Sequence, residues 1–326
     1  MHRYLNFSRL IFVGVVWFAL MGVSDAQTLY PGKPITMVVP TAAGGTTDLS
    51  ARMLAQALAP VVGQSIVVDN KGGGNGNIAA NMVKRAAADG YTLLMQYSGY
   101  HVISPHVTKQ KQWDLTDFQA VANVISAPQI IVVRADLPAK TLDELIAFAK
   151  ANPGKLNYAS SGNGSLQHVT GAMLEQQAGI KMVHVPYKGT GPALQDLLAG
   201  QVDLTFGTAP PFMPHIALGK LRVLAVTSKE RLSSLPQVPT TAEAGYPKVN
   251  ATSWFAVFAP VSTPKPVIDK LTADISQVVR SSAFSQKAQE QGASAEYLNP
   301  AQLTERVNIE FKTWQSVVQS SKIEAE

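Results

Sequence analysis

The chain has 326 residues, of which 46% are apolar and 15% are charged, and it contains no cysteine. This length fits two domains of ordinary size or one large one, and the apolar fraction excludes a wholly disordered chain. The absence of cysteine excludes disulfides, thiolate metal sites and a cysteine nucleophile. The formal charge of +5 is scattered along the chain, which weakly favours an anionic small ligand and argues against nucleic acid as a partner.

Residues 1–26 have the pattern of a cleaved secretory signal. Two arginines precede an uncharged apolar run, and small residues follow at the positions that a signal peptidase recognises. We therefore expect export to the periplasm, with cleavage between Ala26 and Gln27. An uncleaved membrane anchor is the alternative, although the apolar run is short for a membrane span.

The pattern over residues 35–97 alternates between strands and helices. Strands are predicted over residues 35–39, 66–68 and 92–97. A helix after the first strand carries apolar residues at helical spacing, with Asp48 or Thr47 as its cap, and a second helix is predicted over residues 78–87. This β-α-β-α-β order is typical of a parallel sheet covered by helices.

The alternation restarts near residue 124. Further strands are predicted over residues 129–133, 156–159, 182–185, 202–206, 221–227 and 254–258. The helices between and after them are predicted over residues 141–151, 165–177, 191–198, 211–218, 264–281 and 300–320. Thr141 and Glu144 form a capping box at the start of one of these helices.

This order of elements predicts two α/β lobes. The last strand and helices have too few partners to form a lobe alone, so we expect them to return to the first lobe. The predicted division is residues 27–124 plus 252–326 for lobe 1 and residues 125–251 for lobe 2. The chain would then cross between the lobes twice, near residues 124 and 252.

Two loops of small residues join a strand to the start of a helix, one in each predicted lobe. The first covers residues 40–48 (PTAAGGTTD) and the second covers residues 160–165 (SSGNGS). Free backbone N–H groups at a helix start attract anions, and glycines let a ligand approach closely. A carboxylate held in a cleft would use both loops, whereas ordinary glycine turns are the alternative interpretation.

A third candidate segment is YSGYH at residues 97–101, which follows a strand at the end where α/β sheets bind ligands. Its aromatic side chains could line a pocket, or they could serve local packing. Serine-hydrolase and zinc-protease motifs are absent from the sequence, and the histidines lack the spacing of a zinc site. We therefore expect no catalytic residues, no metal and no cofactor.

Motifs along the whole mature chain resemble one family, the Bug-type periplasmic receptors of tripartite tricarboxylate transporters. The resemblance is carried by residues 30–35, 40–48, 68–71, 88–94, 158–164 with His168, 185–189, 197–203, 219–222 and 239–241. It implies an α/β, two-lobed periplasmic-binding-protein (Venus flytrap) fold. Each lobe would contain a mostly parallel sheet flanked by helices, and two strands would cross between the lobes.

The resemblance also implies a function. The protein would be a monomeric receptor that captures a small carboxylate in the cleft and delivers it to membrane permease subunits. The expected ligand-binding residues are Thr41, Ala42, Ala43, Gly44, Gly45, Thr46, Thr47, Asp48, Ser98, Tyr100, Ser160, Ser161, Asn163, Gly164, Ser165, His168 and Tyr187.

The segment at residues 97–101 is more aromatic than is usual in the family, which favours an aromatic or otherwise bulky carboxylate; a dicarboxylate is the other candidate. Two other functions stay open at this point. The protein could sense the ligand for a two-component system, or it could be an exported enzyme that uses Tyr97, Tyr100 or His101 in acid–base chemistry.

Overall fold

The computed structural model describes residues 30–109 and 112–320. The strands are β1 Ile35–Val39, β2 Ile66–Asn70, β3 Thr92–Tyr97, β4 Phe118–Arg134, β5 Asn157–Ser160, β6 Val183–Pro186, β7 Leu204–Thr208, β8 Leu221–Val226, β9 Thr252–Pro260 and β10 Ser294–Leu298. The helices are α1 Thr46–Val62, α2 Asn77–Lys84, α3 Leu142–Ala151, α4 Leu166–Ala178, α5 Thr190–Leu198, α6 Met213–Ala217, α7 Lys265–Val279, α8 Ser282–Glu290 and α9 Pro300–Ser320. The expected signal segment lies outside the described residues.

The strands form two sheets that share β4. In sheet A the order is β2-β1-β3-β9-β4-β10, and in sheet B it is β6-β5-β7-β4-β8. β1, β2 and β3 run parallel to one another, as do β5, β6 and β7, whereas β4, β8, β9 and β10 pair in antiparallel fashion. Both sheets are therefore mixed, and the expected parallel pairing is found within the two groups of three strands.

The strand β4 is longer than the sequence pattern predicts and runs through both sheets. Its residues 118–128 pair with β9 in sheet A, and its residues 129–133 pair with β7 in sheet B. β9 begins opposite Pro128, where Thr252 pairs with it. The two chain segments that connect the sheets thus run side by side.

The buried side chains form three clusters that follow this arrangement. The largest cluster draws on residues 35–127 and 251–318, with Leu166 and Val169 added from α4. The two smaller clusters draw on residues 130–249, one on each side of sheet B. This distribution supports the division of the chain into two lobes at residues 124 and 252, which stays a prediction.

Several elements form for the reasons that the sequence indicates. Thr141 caps α3 by accepting a hydrogen bond from the Glu144 N–H group, as the capping box predicts. The pattern missed α8 and β10, whose residues 282–298 are mostly polar or small and whose single buried face is narrow. Among the described residues, no helix is long and apolar enough to cross a membrane.

Candidate functional site

A cavity lies between the two sheets and receives side chains from both. Its empty space, including the part that is open to solvent, is about 300 Å³. Its walls carry hydroxyls, amides and two aromatic rings, and they contain no acidic or basic side chain. The lining residues are Thr41, Gly45, Thr46, Thr47, Tyr97, Gln129, Ser161, Gln167, Thr190, Thr208, Ser253 and Phe255.

Two helices begin at this cavity without a side chain to cap them. The N-cap of α1 is Gly45 and the N-cap of α5 is Gly189, and neither makes a side-chain capping bond. Their starts face each other closely: a Cβ atom built on Gly45 would lie 3.4 Å from the Thr190 Cβ. Helix N-termini carry partial positive charge, so two like-signed ends meet here and an anion between them would be attracted to both.

The first loop reaches the cavity with its two ends. Thr41, Gly45, Thr46 and Thr47 line the cavity, whereas Ala42, Ala43, Gly44 and Asp48 are not among the lining residues. The loop also touches the opposite side of the cavity, because the Ala42 N–H donates to the Lys188 carbonyl at 3.0 Å.

The predicted cap of α1 by Asp48 or Thr47 is wrong, because both residues lie inside the first helical turn. The Asp48 carboxylate instead accepts a hydrogen bond from the Gly44 N–H at 3.0 Å and pairs with Arg52. Gly44 has a φ of 86°, a left-handed conformation that suits glycine. Asp48 therefore stabilises the conformation of the loop without lining the cavity.

The second loop reaches the cavity at one position, Ser161. Its other hydroxyls are used within the loop: Ser160 Oγ lies 2.6 Å from His184 Nε2, and Ser165 caps α4 by accepting from the His168 N–H. Of the remaining predicted residues, Asn163, Gly164 and His168 are also not among the lining residues.

Two stacked histidines support this loop. The rings of His168 and His184 lie 3.8 Å apart and are almost parallel, with an interplanar angle of 2°. Burial lowers the pKa of His168 to about 4 and, with the neighbouring ring, that of His184 to about 3. Both rings are therefore neutral at pH 7, and His168 Nδ1 can accept the hydrogen bond that the Gly164 N–H donates at 3.1 Å.

The aromatic segment after β3 contributes one residue to the cavity. Tyr97 lines it, and its hydroxyl accepts a hydrogen bond from the Leu166 N–H at 2.7 Å. Ser98 and Tyr100 do not line it: Ser98 Oγ accepts from the Trp254 N–H, and the Tyr100 hydroxyl donates to the Ser161 carbonyl. These contacts favour the packing interpretation for most of the segment.

A second, outer cavity adjoins the first one. It encloses about 850 Å³ of space, open to solvent, and shares Ser161 with the first cavity. Tyr100, Asn163 and Tyr187 line this outer cavity, and the Tyr187 hydroxyl donates to Asp196 at 2.7 Å. Three of the predicted ligand-binding residues thus line the outer cavity and not the first one.

Six of the lining residues were not predicted from the sequence. These residues are Gln129, Gln167, Thr190, Thr208, Ser253 and Phe255. Most of their polar groups satisfy each other across the cavity, since Gln167 binds both the Ser161 N–H and the Thr190 hydroxyl. The sequence did contain a signal for two of these residues. Gln129 and Ser253 are polar residues inside otherwise apolar strands, and a polar residue at a buried position is a candidate for a functional site.

Three buried polar atoms in the cavity have no hydrogen-bond partner. They are the hydroxyl oxygens of Thr41 and Ser161 and the amide oxygen of Gln129. Buried polar groups are nearly always paired, so three unpaired ones lining one small cavity indicate that a polar ligand completes them.

The groups considered for acid–base chemistry do not meet in this cavity. Burial raises the pKa of Tyr97 well above its ordinary value, which keeps the phenol protonated. His101 does not line the cavity; it stacks on Phe258 at 4.3 Å within an aromatic cluster, and burial lowers its pKa to about 3. Among the described residues, no group of three or more acidic residues or histidines could hold a metal ion.

The chain is similar in sequence and structure to known transporter receptors and periplasmic binding proteins. The model of the tripartite tricarboxylate transporter family receptor matches residues 50–323. The periplasmic binding protein BugD is 35% identical in sequence, with a TM-score of 0.87, over 91% of this chain and 100% of that one. Rpa4515 of R. palustris, solved with adipate, is also 35% identical, with a TM-score of 0.89 and coverage of 91% and 100%.

A further structure, MatC from Rhodopseudomonas palustris with bound malate, is 32% identical, with a TM-score of 0.83 over 89% of this chain and 100% of that one. These relatives are binding proteins, and the architecture of two sheets around a cleft is the two-lobed periplasmic-binding-protein fold. The two-lobed α/β fold expected from the sequence is therefore confirmed, but the expectation of mostly parallel sheets is wrong, because β4, β8, β9 and β10 pair in antiparallel fashion.

Proposed function

Because the chain belongs to the tripartite tricarboxylate transporter receptor family, we propose that its cavity captures a small carboxylate for delivery to a membrane permease. The single observation that carries the proposal is the lining of the cavity. It offers unpaired hydroxyls and two uncapped helix starts, and it contains no charged side chain. This is an environment for an anion that is held by dipoles and hydrogen bonds.

The carboxylate would lie in the cavity beside the adjoining starts of α1 and α5. Each helix end contributes roughly 0.3–1 kcal/mol of attraction for a negative charge, and up to about 2 kcal/mol in a partly buried site. The hydroxyls of Thr41 and Ser161 would donate the additional hydrogen bonds. The negative charge of the bound carboxylate would also offset the electrostatic repulsion between the two positive helix ends.

The rest of the ligand would contact the rings of Tyr97 and Phe255, which stack on one another with centroids 6.0 Å apart. The relatives Rpa4515 and MatC were solved with adipate and malate, which are slim dicarboxylates. We propose a ligand of that size. The aromatic or bulky carboxylate expected from residues 97–101 stays a prediction.

Ligand binding would be coupled to closure of the cleft. Hydrogen bonds join the two sides of the cavity, including one of 2.6 Å between the hydroxyls of Thr46 and Thr208 and the bond from Leu166 to Tyr97. We propose that lobe 1 comprises residues 27–124 plus 252–326, that lobe 2 comprises residues 125–251, and that they rotate about the adjacent strands β4 and β9. The closed form would then be the one that the permease recognises.

We further propose that the protein reaches the periplasm through cleavage between Ala26 and Gln27 and acts there as a monomer without catalysis. The family consists of receptors, and the high pKa of Tyr97 and the packing of His101 on Phe258, outside the cavity lining, argue against an acid–base role.

Titration calorimetry against a panel that includes adipate, malate and benzoate would test the proposal. We expect at least one carboxylate to bind with one-to-one stoichiometry and to be recovered unchanged by mass spectrometry. Thr41→Ala should weaken binding, whereas Thr313→Ala, which removes an exposed hydroxyl on α9, should not. Absence of binding across the panel, or chemical conversion of the ligand, would contradict the proposal.

A transport role and a sensing role would be separated in the cell. Deletion of the gene should reduce uptake of the carboxylate that calorimetry identifies. If uptake is unchanged and only induction of ligand-responsive genes is lost, the sensing alternative is correct.

A further inference from the structure

Gln129 presents an acceptor to the cavity that a carboxylate cannot satisfy. Its side chain lines the cavity and is 1% exposed. Its Nε2 donates to the Ser253 hydroxyl at 2.7 Å, while its Oε1 is buried without a partner. A buried amide oxygen needs an N–H or O–H donor, and an ionised carboxylate has none to give.

The backbone holds this residue in place. The Gln129 N–H donates to the Ala251 carbonyl at 3.0 Å, and its carbonyl accepts from the Thr227 N–H at 2.9 Å. With Ser253 holding the amide end as well, the side chain is tied at both ends. In this orientation its oxygen faces the cavity, whereas a half-turn of the amide would let the Ser253 hydroxyl donate to Oε1 and would present Nε2 to the ligand.

None of the other polar side chains that line the cavity donates a hydrogen bond to Gln129 Oε1. Gln167 already uses its oxygen and its nitrogen, and the hydroxyls of Thr46 and Thr208 bind each other. The free hydroxyls of Thr41 and Ser161 suit a carboxylate, because each can donate a proton to it. The cavity thus offers donors for one part of a ligand and an acceptor for another.

We propose that the ligand is a hydroxycarboxylate and that Gln129 selects it by accepting a hydrogen bond from the ligand's hydroxyl group. This inference rests on the proposed function and narrows its substrate class. An ammonium group could also donate to the amide oxygen, but no aspartate or glutamate is among the described residues that line the cavity. A buried ammonium would therefore lack a counter-charge, which favours a hydroxyl.

The test uses pairs of acids that differ by one hydroxyl group: malate and succinate, lactate and propionate, mandelate and phenylacetate. Calorimetry of the wild-type protein at pH 7 should show that, in the pair whose size fits the cavity, the hydroxy acid binds at least tenfold more tightly. This comparison requires no variant to fold. Equal affinities within every pair that binds, or binding of adipate or benzoate with none of the three hydroxy acids, would overturn the inference and leave the proposed function intact. Absence of binding by the six acids and by adipate and benzoate would overturn both.

The variant Gln129→Met tests the residue itself, since methionine has a similar length and no amide. We expect the preference within the pair to fall to about twofold, because the hydroxy acid loses more affinity than the acid that lacks the hydroxyl. If both acids weaken equally, the amide donates its N–H groups to the carboxylate and the inference is wrong. Gln119→Met is the matched control, because Gln119 lies on the same strand and binds carbonyls far from the cavity.

Aspartate distinguishes the two possible donors. It places an ammonium group where malate has its hydroxyl. We expect aspartate to bind at least tenfold more weakly than malate, and tighter binding of aspartate would show that the donor is an ammonium group.

Discussion

The loops at residues 40–48 and 160–165 resemble each other in sequence, but they have different tasks in the structure. The first loop leads into a helix without a side-chain cap and places four residues against the cavity. In the second loop, Ser165 caps α4 and Ser160 binds His184. Only Ser161 of this loop lines the cavity. The structural counterpart of the first loop is the start of α5, which is also uncapped. Similar loop chemistry therefore does not identify the two sides of a binding site.

The strongest test of this comparison is Gly191→Ala in α5. A Cβ atom at Gly191 would lie 2.0 Å from the Ala43 carbonyl oxygen of the first loop, and Gly191 does not have a positive φ that would strain alanine. The two sides of the cavity could then not close. We expect affinity for the ligand to fall at least about 100-fold, which is about 2.7 kcal/mol, with an unchanged circular dichroism spectrum.

Gly45→Ala is the matched control for that substitution. Its Cβ atom would lie 3.4 Å from the Thr190 Cβ, which is close to an ordinary contact, so the affinity should change only a few-fold. Equal losses in both variants would show that the approach of α5 to the first loop is not specific.

The histidines beneath the second loop predict a dependence of stability on pH. The pKa values of His168 and His184 in the folded protein, about 4 and about 3, lie below the ordinary value near 6.5. Below about pH 6.5 the unfolded chain binds protons that the folded protein does not, so falling pH favours unfolding. The loss of stability should continue until about pH 4 for His168 and about pH 3 for His184.

Thermal unfolding at pH 7 and pH 5 measures this effect. Because both histidines are only partly buried, we expect them to lower the midpoint by roughly 5 °C over this range. His184→Gln can keep the bond to Ser160 without titrating, so its decrease should be smaller. If the unfolding midpoints of the variant and the wild type fall by the same number of degrees between pH 7 and pH 5, the histidines do not account for the acid sensitivity.

Two serines of the second loop should separate binding from stability. Ser161→Ala removes a hydroxyl that has no partner in the protein, so we expect roughly tenfold weaker binding and no loss of stability. Ser165→Ala removes the cap of α4, so we expect a loss of about 1 kcal/mol of unfolding free energy and little change in affinity. Calorimetry and urea unfolding of both variants measure the two quantities, and the reverse outcome would contradict the assignment.

The smallest effect is expected at Asp48 in the first loop. Asp48→Asn keeps an oxygen that can accept from the Gly44 N–H and loses only the ion pair with the half-exposed Arg52. We expect a stability change below about 1 kcal/mol and an affinity for the carboxylate that rises less than about threefold, since a nearby negative charge is removed. A large loss of affinity in calorimetry would place Asp48 in the binding site itself.

Most strands and helices could be predicted from the sequence because their hydrophobic periods are clear. β1 and β3 begin and end where the pattern predicts. The first half of β4 was not predicted as a strand because Gln119, Asn123 and Ser126 interrupt its apolar pattern. Asn123 and Ser126 donate hydrogen bonds to Glu296 in β10, a partner more than 150 positions away in the chain, so only the folded structure reveals it.

The site was harder to predict than the fold. The first loop could be identified because its residues are adjacent in sequence, and four of its residues do line the cavity. Gln129, Thr208 and Ser253 come from three different strands, and only sheet pairing brings them together. Residues such as Ser160 and Ser165 have the side chains of a binding loop, but local hydrogen bonds occupy them.

The position of β9 between β3 and β4 has a consequence for how the chain must fold. β3 ends at Tyr97 and β4 begins at Phe118, but the strand that separates them in sheet A begins only at Thr252. While the chain is being synthesised, sheet A therefore stays divided, with exposed strand edges, until the whole of sheet B has emerged. Stable folding in the order of synthesis is thus blocked by topology, and a protein of this architecture can complete itself only when nearly the full chain is present.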